Sequence, residues 1–146
     1  MNNVSSPRND DESIEHEIQR KGLTAARITP GAIEANIRAE HYFTAADGYV
    51  GNSMHTPEVA RENTRGTPLE LLTFCVLVLN NGFTVTGESA VASPENFDPD
   101  VGRRVARQNA VQKVWPLMGY ALRLELARQA HEEPSADPAA GSGPAL

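Results

Sequence analysis

Apolar and polar residues alternate along this chain with periods that favour helices. Residues 1–11 are polar, and residues 133–146, EPSADPAAGSGPAL, are rich in Pro, Gly and Ala. Neither stretch can supply a core, so the pattern predicts disordered termini around one folded unit at 12–132. Ile14 and Ile18 lie four apart and predict a short helix from Ser13. Thr29-Pro30 is a second start signal, a capping hydroxyl followed by proline at the first helical position. Ile33 and Ile37 then share a helix face, and YFTAADG (42–48) closes the helix. Residues 48–66 read as a long loop, with Thr56-Pro57-Glu58 starting one extra turn.

The run LELLTFCVLVL (69–79) carries the strongest apolar signal. Val76 and Val78 suit a buried strand. Thr67 and Glu70, at capping-box spacing, and the Asn81-Gly82 stop favour a buried helix instead. FTVT (83–86) alternates β-favouring residues and predicts a short strand. Asp98-Pro99 opens the last long helix, which Pro116 is expected to kink or divide. Val101, Val105 and Trp115 project to one side of that helix, and Ala110 and Val114 to the opposite side. Apolar residues on two sides fit either the middle of a bundle or a subunit contact. The expected fold is therefore mainly α, a small helical domain with one short extended segment, forming a homo-oligomer.

Composition changes this picture little. The chain has 146 residues, a net charge of −6 and a single cysteine, Cys75, placed as a small buried hydrophobe. The acidic balance argues against general nucleic-acid affinity. The polar start lacks the apolar core of a secretory signal, and no apolar run reaches the ~20 residues needed to cross a bilayer. A cytoplasmic location is the expectation. His16, His41, His55 and His131 form no ligand cluster, so neither metal nor cofactor is expected.

Residues 82–89, GFTVTGES, would be a phosphate-binding loop if Glu88 were lysine. The carboxylate repels phosphate, and Gly82 would follow a helix, so both charge and context reject that reading. Ser89 lacks the second glycine of a nucleophile elbow. The basic set is more informative. Arg103, Arg104, Arg107, Lys113, Arg123 and Arg128 face only Asp100 and Glu125 within 99–128, giving a local charge of +4. This is either a solvated helix face or an anion site, in which Arg103 and Arg107, four apart, grip one ligand.

Four blocks, ITPGAIEANIRAEHYFTAADG (28–48), LLTFCVLVLNNGFTVTGESA (71–90), SPENFD (93–98) and GRRVARQNAVQKVWPLMGYALR (102–123), together resemble a small bacteriophage and prophage family. It is named after gene product forty-nine of a coliphage and gene sixty-six of a Shigella phage. Residues 49–66 read as an insertion relative to its pattern. The resemblance implies a phage origin and an accessory role, and no reaction. It also suggests that Thr84, Thr86, Glu88 and Ser89 face the arginine-bearing helix, with Glu88 held by a cation of residues 102–113, such as Arg103, Arg107 or Lys113, as a latch or as the border of a site. The candidate binding residues are thus Thr84, Thr86, Glu88, Ser89, Arg103, Arg104, Arg107 and Lys113. The expected function is non-enzymatic binding of a host protein or a small anionic ligand such as a signalling nucleotide. A DNA-associated factor using the basic 103–128 helix, and then an enzyme, are the alternatives.

Overall fold

The structure, a computed structural model, describes residues 7–133. Five helices and three strands follow in the order α1 (Pro7–Arg20), α2 (Pro30–Asn36), β1 (Ile37–Thr44), α3 (Ala45–Asn52), α4 (Pro57–Thr64), β2 (Leu72–Leu79), β3 (Thr84–Ala90) and α5 (Pro99–Glu132). Single 3-10 turns at Pro68–Leu71 and Pro94–Asn96 precede β2 and α5. The helix starts are set by local chemistry. The Thr29 hydroxyl accepts from the Ala32 amide at 3.0 Å, Thr56 caps α4, and Asp98 accepts from the amides of Asp100 and Val101. Thr44 and Asp47 form a reciprocal capping box that turns β1 directly into α3. The helix expected from Ser13 already begins at Pro7.

The architecture is α+β, which corrects the mainly helical expectation. β1, β2 and β3 form one antiparallel sheet with β2 in the centre. Residues 72–79, expected as a buried helix, are the central strand. Thr67-Pro68 starts only a single 3-10 turn, and Thr67 makes no side-chain cap. The missed signal is physical: a central strand with apolar residues on both faces shows no alternation, so its run of large residues mimics a buried helix. Residues 37–44, placed in the second helix, are also a strand. Asn36 ends α2, so Ile33 is buried while Ile37 already belongs to the sheet. Asn81-Gly82 lies in the β2–β3 hairpin turn, not at a helix stop. Gly82 has φ of 86°, and the Leu79 amide donates to the Phe83 carbonyl at 2.8 Å. The strand expected at 83–86 is the start of β3. Pro116 does not divide the last helix; α5 continues through it, with Val114 and Met118 packed on the core to either side.

The core lies between the sheet and α5. Cys75, Leu77 and Leu79 of β2 and Val85 of β3 face the helix, together with Ile33 of α2. From α5 come Gly102, Ala106, Ala110 and Val114, four apart and all buried. These small residues let the helix sit close to β3. A methyl on Gly87 would overlap the Ala106 carbonyl and the Ala110 amide nitrogen, and would lie 2.9 Å from the Ala110 Cα. Glycine on the inner face of β3 is therefore a requirement of this contact. At ~1.5 Å per residue the 34 residues of α5 extend about 50 Å. The seven residues of β3 extend only about 24 Å, so the helix runs on past the sheet.

Candidate functional site

β3 shows how the sequence-predicted residues are distributed. Its side chains alternate strictly, with Val85, Gly87 and Ser89 buried against α5 and Thr84, Thr86 and Glu88 exposed on the opposite face. Ser89 therefore cannot share a surface with Thr86. The stretch GFTVTGES is one arm of a hairpin rather than a loop around a ligand. Thr86 lies 3.4 Å from Glu88 through its hydroxyl, and Glu88 meets Lys113 only at 4.0 Å, with nearly half of its side chain exposed.

The cation that residues 102–113 bring to Glu88 is Lys113, at 4.0 Å, and not Arg103 or Arg107. Arg103 pairs with Asp100 one turn earlier on its own helix. Arg107 donates through both terminal nitrogens to Glu34 of α2, at 3.0 and 2.7 Å, and through Nε to Glu40 of β1 at 2.8 Å. One guanidinium thus ties α2, β1 and α5 together. Those hydrogen bonds raise its pKa further above the ordinary arginine value, against the opposing effect of burial. Arg104 is exposed. Lys113 donates to the Thr86 carbonyl at 2.7 Å, and Asn109 donates to the Glu88 carbonyl at the same distance. The ladder bonds of Leu79 with Phe83 and of Val91 with Leu71 place odd-numbered β3 residues against β2. The Thr86 and Glu88 carbonyls therefore face the open edge, where Asn109 and Lys113 occupy them. Such occupation blunts an edge strand that would otherwise invite pairing. The predicted cations mostly serve the fold, and of them only Arg107 lines the cavity between α1, α2 and α5.

Two surfaces stand out that lie mostly outside the predicted residues. The first is the outer face of the sheet. Opposite α5, β2 presents Leu72, Phe74, Val76 and Val78, and β1 adds Ala39, His41 and Phe43. Phe43 and Phe74 stack across the strands with ring centroids 5.5 Å apart, and Phe43 remains 40% exposed. Among the described residues α5 covers only the inner face, while α3 reaches the sheet near the Thr44 and Thr73 end. The signal in the sequence was the even-numbered half of LTFCVLVL, which becomes legible once this segment is known to be a strand. The second surface is a cavity of about 450 Å³ between α1, α2 and α5, lined by Ile33, Val111, Trp115, Arg107, Asp11 and Glu12 among others.

On the inner face Tyr42 and Cys75 are cross-strand partners. Burial, and then the neighbouring Cys75, push the Tyr42 phenol up to about 12. Burial likewise raises the Cys75 thiol, so it is not an activated thiolate. Among the described residues no group of three or more His, Cys, Asp and Glu side chains is placed to hold a metal. No described helix is long and apolar enough to cross a membrane, α5 included.

The family description Phage protein (N4 Gp49/phage Sf6 gene 66) matches residues 28–126. The chain belongs to this phage protein family. No curated protein and no solved structure matches the chain. The part shared with the family runs from the residue before the Thr29 cap through the whole sheet and most of α5. It therefore contains the Arg107 clamp, the Gly87 contact and the open face of the sheet. α1 precedes it.

Proposed function

We propose that this phage protein is a non-enzymatic accessory factor that binds a host protein through the open face of its sheet. The observation that carries this reading is the central strand. β2 has large apolar side chains on both faces; among the described residues α5 packs the inner one, while α3 approaches the outer one at Phe43 and leaves Phe74, Val76 and Val78 only half-buried. An apolar face rimmed by Thr84, Thr86 and Glu88 on one side and His41 on the other has the anatomy of a protein contact. Three strands about 4.8 Å apart and about 25 Å long cover only about 350 Å². A stable complex buries ~800 Å² per partner, so the face suits a host protein that also engages the neighbouring α3–α4 unit. The small-anion reading loses ground for an electrostatic reason. Arg107 is already matched by two carboxylates and Arg103 by one, and Asp11, Glu12 and Glu34 outnumber Arg107 in the cavity between α1, α2 and α5.

The test uses wild-type protein and Phe74→Lys as parallel baits in infected-host extract, with mass spectrometry for proteins and metabolites. Far-UV circular dichroism checks that the variant remains folded. A protein retained by wild type, lost with Phe74→Lys, and rebinding only wild type when both are purified is the expected result. A purified partner that binds both baits equally, or a phosphorylated metabolite retained in place of any protein, overturns the reading.

Self-association is a second proposal, carried by a separate observation. Past the sheet, α5 exposes Leu117, Tyr120 and Leu124 at helical spacing. The buried positions expected as one side of a subunit contact, Ala110 and Val114, are used within the fold. The projecting part is thus the surface that supports a homo-oligomer.

A further inference from the structure

α1 is attached differently from every other element. It precedes the stretch shared with the family, which starts at residue 28. A bidentate ion pair joins it to the segment leading into α2: Arg27 donates to both Glu15 oxygens at 2.5 and 2.6 Å. Both side chains are largely shielded from solvent. The apolar contribution is slight. Ile18 is half-buried, and Ile14 is 57% exposed.

What α1 covers is more apolar than α1 itself. Between it and the family-shared body lies the cavity of about 450 Å³ floored by Ile33, Val111 and Trp115. A second cavity of about 240 Å³, also lined by Trp115, is bounded by Ile14, Ile18 and Ile28. The helix therefore spans a groove between α2 and α5 without filling it, and both cavities border the same indole. A volume of this order, with an apolar floor of Ile33, Val111 and Trp115 and polar side chains such as Gln108, Gln112 and Arg107 around it, is within the range of a binding groove.

We propose that the groove around Trp115 is a helix-binding surface, that α1 is its resident strap, and that an acidic amphipathic helix of a partner protein takes the place of α1. The chemistry of the partner is read from the present occupant. α1 offers Ile14 and Ile18, four apart, together with the groove-lining carboxylates Asp11, Glu12 and Glu15. Arg27 is the fixed cation that receives one of those carboxylates. Apolar anchors one turn apart plus a carboxylate for Arg27 are the features a helix seated in a groove would use. Docking at this groove is independent of the sheet's outer face, which lies on the far side of the core.

The tryptophan supplies the readout, because Trp115 is the only one in the chain. In full-length Glu15→Arg, like charges at Arg27 should unseat α1. Trp115 emission should shift to the red and its quenching by acrylamide should rise, while the far-UV spectrum keeps the sheet and α5. A labelled peptide of wild-type residues 7–23 should then bind this variant about tenfold or more tighter than it binds the wild-type chain, where the strap competes, and should return the emission to the wild-type position. The same peptide with Ile14 and Ile18 changed to serine should not bind. The charge-swapped chain, Glu15→Arg with Arg27→Glu, should recover wild-type emission without peptide. Unchanged emission and quenching in Glu15→Arg overturns the proposal. So does a folded Glu15→Arg chain that fails to bind the peptide, or serine-substituted peptide binding as well as the original. Global unfolding of Glu15→Arg that the charge swap does not rescue would make α1 an integral part of the fold and also overturn it.

Discussion

At Gly87 the β3 backbone meets α5 with no side chain between them. The atoms a methyl would strike are the backbone of Ala106 and Ala110, which cannot rotate away. Gly87→Ala should therefore destabilise the protein toward the upper end of the ~1–3 kcal/mol typical of overpacking, as measured by urea unfolding. Loss below about 0.5 kcal/mol, within the range of an ordinary surface change, would mean that α5 does not sit this close. Tyr42 and Cys75 make a second residue-scale prediction. Tyr42 should titrate near 12 in an ultraviolet pH titration of the native protein. Its folded pKa is raised above the unfolded value of ~10. The stability it confers is present below that value and is lost as pH rises toward 12. Cys75 should stay unreactive to a disulfide reagent until the chain unfolds.

Among the elements, α2, β1 and α5 meet at one guanidinium. Arg107→Ala leaves Glu34 and Glu40 beside each other without the cation that joins them. Both carboxylates are about half exposed, so the cost should be about 1–2 kcal/mol, below that of breaking a buried pair. Hydrogen exchange should rise first at α2, since Ile33 is its only buried residue. The projecting half of α5 carries the other element-scale prediction. Light scattering coupled to size exclusion at tens of micromolar, roughly where weak interfaces populate, should show more than a monomer. Leu124→Glu should restore the monomer with no change in the far-UV spectrum. A wild-type chain that is strictly monomeric there would remove the self-association proposal.

For the whole molecule, the balance of charge decides between protein and nucleic acid as a partner class. The local +4 of residues 99–128 sits in a chain of net −6, and several of its cations are matched by carboxylates or carbonyls of the same fold. Duplex DNA should thus bind no better than the non-specific range of ~10⁻⁴–10⁻⁶ M at physiological salt. Tighter binding that weakens steeply with salt, with a slope reduced by Arg104→Ala, would favour the DNA-associated alternative over a protein partner.

The sequence by itself determined the features whose partners lie within a few residues. Thr29-Pro30, Thr56-Pro57 and Asp98-Pro99 each start a helix, because a capping oxygen reaches an amide two or three positions on. The resemblance carried by residues 28–123 was legible for the same reason, as was the alternation of FTVT at the start of β3. Tertiary structure decided the rest. Val76 is a strand residue because His41 and Thr86 flank it across the sheet, and no local pattern reports partners so far away in the chain. Its neighbours Phe74 and Val78 made the run look like a buried helix, since a strand apolar on both faces loses the period of two. The roles of the arginines were hidden for the same physical reason: Glu34 and Glu40 meet Arg107 only after the sheet and α5 have brought three distant segments together.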